Sequence, residues 1–124
     1  MLIKKLVFVP LAILLLTFSV SIADDFDEGL SAYHKGDYQT AMKIWKPLAE
    51  QGDASAQSNL GLMYDLGEGV PQDDKQAVKW YRLAAEQGDA EAQFNLGVMY
   101  YSGYGVPKDD KEAVATNQKN ACKC

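Results

Sequence analysis

Two stretches of this chain, 36 residues apart, carry almost the same sequence. Asp53–Val78 reads DASAQSNLGLMYDLGEGVPQDDKQAV and Asp89–Val114 reads DAEAQFNLGVMYYSGYGVPKDDKEAV, identical at 18 of 26 positions. A unit of this length cannot enclose a core of its own. It has to bury its apolar face against its neighbours, so the period points to a stacked repeat array.

Each unit reads as two helices. Ala56, Leu60, Met63 and Tyr64 recur at helical spacing and make one apolar face. Gly67-Glu68-Gly69-Val70-Pro71 then breaks the helix. Ala77, Val78, Tyr81, Ala84 and Ala85 form the apolar face of the second helix, which Gly88 ends. Asp53 and the Asp73-Asp74 pair stand where helix caps are needed, with negative charge at the positive end of the dipole. Gly61 and Gly97 fall in mid-helix, where glycine costs about 1 kcal/mol relative to alanine. That repeated cost predicts a neighbouring helix passing close by. Upstream, Asp37–Gly52 aligns without gaps to Asp73–Gly88, with Trp45 matching Tyr81. Phe26–Gly52 is therefore a shortened leading unit, in which the tight turn Lys35-Gly36-Asp37 replaces the longer loop. Pro47 is expected to bend its second helix. The expected organisation is a leader over 1–23, a degenerate helical pair over 24–52, and repeats over 53–88 and 89–124.

The leader has Lys4 and Lys5, the apolar run Leu6–Phe18 broken at Pro10, and Ser21-Ile22-Ala23 before Asp24. This is the layout of a secretory signal peptide. An uncleaved anchor is the alternative, but a spanning helix needs about 20 apolar residues. Export and removal of the leader are expected, with no membrane attachment afterwards. Acidic residues outnumber basic ones by 17 to 12, and the leader takes two of the basic residues. That balance argues against nucleic acid and anionic membrane as partners. The two cysteines, Cys122 and Cys124, sit at the extreme end, so disulfides do not hold most of the fold even in an oxidising compartment.

The chain carries little that reads as reaction chemistry. His34 is the single histidine and has no dyad partner in sequence. No Ser-x-x-Lys element occurs. The Asp73-Asp74 and Asp109-Asp110 pairs lack the alternating ligand spacing of a calcium loop. Cys122-Lys123-Cys124 offers only two metal ligands, and an intermolecular disulfide or no role suits it better. No catalytic residue, metal or cofactor is expected.

The eight differences between the repeats are more informative. Five fall on the first helix: Ser55/Glu91, Ser58/Phe94, Leu62/Val98, Asp65/Tyr101 and Leu66/Ser102. Their spacing draws one stripe along a helix. The stripe is either a binding surface, with Phe94 and Tyr101 as aromatic anchors, or a set of exposed positions free to drift.

The pattern Ala-x-x-x-Leu-Gly-x-Met-Tyr-x-x-Gly-x-Gly-Val-x-x-Asp, followed by Lys-x-Ala-x-x-Trp-Tyr-x-x-Ala-Ala-x-x-Gly, resembles the Sel-one-like repeat (SLR) family of tetratricopeptide-like solenoids. The resemblance covers Asp53–Gly88 completely and Asp89–Val114 closely. It implies an all-α fold, a right-handed α/α superhelix of antiparallel helix pairs, with the stripe facing a concave groove. It also implies an adaptor for proteins or, in the bacterial envelope, for cell-wall or polysaccharide machinery. The chain departs from the family at its end, where Trp80, Tyr81, Leu83 and Ala84 are replaced by Thr116, Asn117, Lys119 and Asn120. That end is either a polar cap or a truncation. Ala121-Cys122 is similar to the helix ending of a cysteine-rich secreted branch, some members of which bind or slowly hydrolyse penicillins, but no partner cysteine lies in a neighbouring helix. The expectation is a secreted, periplasmic, non-catalytic module that takes a protein or peptide of the cell envelope on the stripe. Homo-oligomers through the C-terminal helix or Cys122/Cys124 are a second partner expectation. The alternatives are a weak β-lactamase-like enzyme and a remnant of a longer array.

Overall fold

The computed structural model describes residues 24–106. The expected leader over 1–23, the divergent end from Thr116, and Cys122 and Cys124 lie outside the described residues. Among the described residues five helices follow one another: α1 over 24–34, then α2 (Tyr38–Glu50), α3 (Ala54–Leu66), α4 (Asp74–Glu86) and α5 (Ala90–Ser102). No strand occurs among the described residues. The all-α repeat architecture expected from the period is the one observed.

Aspartates start the helices. The side chains of Asp37, Asp53 and Asp89 accept from Thr40 N, Ala56 N and Ala92 N, and that of Asp73 from both Lys75 N and Gln76 N. Each bond satisfies a backbone donor that the first helical turn leaves open. Asp73 is thus a cap, as its position in the sequence suggests. Gly67 and Gly103 close α3 and α5 in the left-handed conformation. Glu68 N and Tyr104 N return 2.9 and 3.0 Å bonds to Met63 O and Met99 O. α2 runs through Pro47 to Glu50.

Packing is mainly between successive helices, with α3 and α5 also in contact. One apolar cluster joins Ala32, Ala41, Trp45, Leu48, Ala49, Ala56, Leu60, Met63 and Trp80, so α2 and α3 share a core into which α4 sends one indole. A second joins Ala77, Val78, Tyr81, Ala84, Ala92, Leu96, Met99 and Tyr100 between α4 and α5. Trp80 is an addition to the apolar face expected for α4; it joins the first cluster, while Tyr81 lies against Gly61 of its own pair and joins the second.

The mid-helix glycines have a specific occupant. A Cβ built on Gly61 would lie 2.5 Å from the Tyr81 ring, and a Cβ on Gly29 would fall inside the Trp45 indole. The close approach expected at Gly61 is therefore made by an aromatic side chain of the paired helix rather than by its backbone. A second close approach links the units. Gly69 lies against the main chain of Tyr38, where a Cβ would meet Tyr38 O at 2.9 Å, and Gln39 Nε2 donates to Gly69 O at 2.9 Å. The loop after α3 thus rests on the start of α2, and the loop after α5, through Gly105, on the start of α4.

Candidate functional site

α1, α3 and α5 are the first helices of the three units, and α3 and α5 touch. The repeat stripe runs along these two and is unevenly covered. On α3, Ser58 is buried, Leu62 packs against the second core cluster, and Asp65 is half-buried. Ser55 and Leu66, at the two ends of the α3 stripe, are exposed. On α5 the whole stripe is open: Glu91 and Ser102 are exposed, and Phe94, Val98 and Tyr101 show 58%, 45% and 62% of their surface. The same register is therefore part of the unit-to-unit packing in one repeat and a surface in the next.

A band of tyrosines and carboxylates adjoins that surface. Tyr33 Oη donates to Glu68 Oε2 at 2.6 Å, and Tyr81 Oη approaches Asp65 Oδ2 at 3.5 Å. The Tyr33 and Tyr38 rings lie 5.2 Å apart, centre to centre. Burial, then the bond to Glu68, pushes the Tyr33 phenol well above the tyrosine range. Burial, then the Asp65 charge, does the same to Tyr81. Tyr38 is raised first by its hydrogen bond to Glu68. The negative potential of Glu91 reaches both Tyr33 and Tyr81.

Asp65 shows the strain of this crowding. Burial and the like charge of Asp74 raise its pKa, and the Tyr81 hydroxyl offsets this only in part. A carboxyl whose folded pKa is raised favours the fold when protonated. That contribution is fully present below the unfolded pKa and is lost as pH rises through the folded one. Asp65→Asn is accordingly expected to raise the melting temperature at pH 7 and to leave it unchanged at pH 3. Melts followed by circular dichroism at the two pH values check this; an equal shift at both, or a loss at pH 7, contradicts it.

Glutamines escaped the sequence reading. Gln57 and Gln93 are buried, and their amides donate to Ala49 O and Ala85 O, each at 3.0 Å. Gln87 adds bonds to Gly52 O and Gln57 Oε1. The signal was present: Gln57 and Gln93 are identical at the period, beside the buried Ala56 and Ala92. His34 is exposed and lies edge-on to Tyr33. Among the described residues no group of three or more histidine, cysteine or acidic side chains could hold a metal. No helix there is long and apolar enough to cross a membrane.

Comparison with known proteins agrees with this geometry. The model of the Sel1 repeat family matches residues 26–53, 54–89 and 90–115. A Sel1 repeat protein from Oxalobacter formigenes is 39% identical, with a TM-score of 0.75 over 79% of this chain and 40% of its own. A protective antigen of uropathogenic Escherichia coli strains, displaying an SLR fold, is 40% identical, with a TM-score of 0.78 over 93% of this chain and 26% of its own. Cysteine rich protein B of Helicobacter pylori shares the fold at 22% identity, with a TM-score of 0.66 over 82% of this chain and 87% of its own. No curated protein sequence matches. The chain spans less than half the length of the first two structures. Three successive matches to one repeat, on a backbone built of stacked helix pairs, make this chain a member of the Sel1 repeat family, whose proteins are generally non-catalytic modules for protein–protein interaction.

Proposed function

We propose that this chain is a non-catalytic adaptor of the bacterial cell envelope, exported by its N-terminal leader, that takes a protein or peptide segment on the face of its first helices. The observation that carries the reading is the exposure of Phe94, Val98 and Tyr101 in one row on α5. Large apolar side chains left in a contiguous row on a folded surface mark an interaction site, and aromatics are the usual anchors of such sites. These are also the positions at which two otherwise near-identical units differ.

The immobilised chain, exposed to envelope extract beside its Phe94→Ala/Tyr101→Ala variant, tests this. A protein retained by the parent chain and lost from the variant is the expected result. Both side chains are exposed, so the variant should melt at the parent temperature. Equal retention by the two forms removes the α5 face as the site.

A further inference from the structure

Charge is segregated between the two kinds of helix. The described first helices, α1, α3 and α5, contain no lysine or arginine. They carry Asp24, Asp25, Asp27, Glu28, Asp65 and Glu91 instead. The second helices, α2 and α4, carry Lys43, Lys46, Lys75, Lys79 and Arg82 beside Glu50, Asp74 and Glu86. Apart from Lys35, in the turn after α1, every basic side chain of the described helices and turns therefore sits on the opposite kind of helix. Among the described residues the first helices thus carry acidic charge only.

The repeat differences sharpen this. Asp65 and Glu68 of one unit stand where Tyr101 and Tyr104 stand in the next. Tyr101 and Tyr104 show 62% and 57% of their surface, and Phe94 shows 58%. Carboxylates thus lie along the α3 end of the surface and aromatic faces along α5, with Glu91 at the start of α5. A guanidinium group satisfies both halves: it pairs with carboxylates through its fork of donors and stacks on aromatic rings.

We propose that the partner segment seated on this face is cationic and arginine-bearing, with apolar side chains between its charges that cover Phe94 and Val98. This rests on the adaptor reading and specifies its partner. Charge complementarity sets which segments dock, and the exposed apolar row holds them. An acidic or phosphorylated segment is rejected by the same carboxylates.

Three fluorescein-labelled twelve-residue peptides, alternating leucine with arginine, glutamine or glutamate, serve as probes in anisotropy titrations of the purified protein. The arginine peptide is expected to bind about tenfold or more tightly than the glutamine peptide, a difference of about 1.4 kcal/mol. The glutamate peptide is expected not to bind. Affinity for the arginine peptide should fall with added salt, and should drop about tenfold in Asp65→Asn/Glu91→Gln, with a smaller change for the glutamine peptide. Asp65→Asn then melts higher than the parent chain at pH 7 yet binds more weakly, so lost binding is not lost folding. Phe94→Ala weakens both the arginine and glutamine peptides.

Tighter binding of the glutamine or glutamate peptide, abolished by Phe94→Ala, overturns the cationic partner and leaves the adaptor face standing. Arginine-peptide binding that ignores both variants, or no binding by any peptide, overturns the proposal. A concentration-dependent dimer in sedimentation that Lys79→Glu/Arg82→Glu abolishes makes the occupant a second copy of this chain, and equally overturns it.

Discussion

Trp45→Ala is expected to cost about 3–5 kcal/mol, the range for removing a large aromatic from a packed core. Trp45 is 1% exposed at the centre of the first apolar cluster. Its ring lies 5.8 Å from that of Phe26 and 5.6 Å from that of Tyr33, and its Nε1 donates to Phe26 O at 3.2 Å. Three features of α1 therefore converge on one side chain of α2, and Gly29 is bare to admit it. A small domain holds about 5–15 kcal/mol in total, so the loss removes a large part of the stability. The loss is concentrated in the first unit, because the buried residues of the second cluster between α4 and α5 are not those of the first, although the half-buried Tyr64 packs against both. Hydrogen exchange should show the amides of 24–34 losing protection first, with those of α4 and α5 retaining most of theirs. A uniform loss across all five helices contradicts this.

Gly61→Ala is the second large effect, and its sign runs against helix propensity. In an open helix the change would gain about 1 kcal/mol. Here the new methyl meets the Tyr81 ring at 2.5 Å, and Tyr81 is fully buried, so the ring has nowhere to go. Overpacking of this kind costs about 1–3 kcal/mol. The net expectation is a fall of up to about 2 kcal/mol, or up to about 16 °C in melting temperature for a domain of this size. A Tyr81→Leu background makes room for the methyl. In it Gly61→Ala should be neutral or stabilising, giving a coupling of about 1–3 kcal/mol in the double-mutant cycle. Simple additivity of the two changes would place the cost elsewhere than at the ring.

The fold was legible because repetition supplies its own control. Ala56, Leu60 and Met63 recur as Ala92, Leu96 and Met99, and all six are buried. The aspartate caps and the glycine closures repeat at the same period and hold the same places. The orientation of Trp80 was not legible, since an amphipathic pattern gives one face per helix, and α4 packs in two directions. Nor were the glutamine bonds, because a polar residue beside an alanine reads as exposed until its carbonyl partner is placed. The stripe was legible as a register but not in its coverage: Ser58 and Phe94 share a position, yet one is buried and the other is 58% exposed. Whether a register is covered depends on the next unit along the stack, and the register alone does not carry that information.

The glutamine amides have a consequence for how such a chain can change in length. Gln39, Gln57, Gln87 and Gln93 all donate to main-chain carbonyls, and all four reach across a boundary between successive helix pairs. A carbonyl is present whatever the side chain, so a newly inserted pair meets acceptors that are already in place. The boundary needs no matched substitution on its other side. Duplication or deletion of one helix pair by recombination is then tolerated at once, and side chains on the outer faces can diverge afterwards without upsetting the stack.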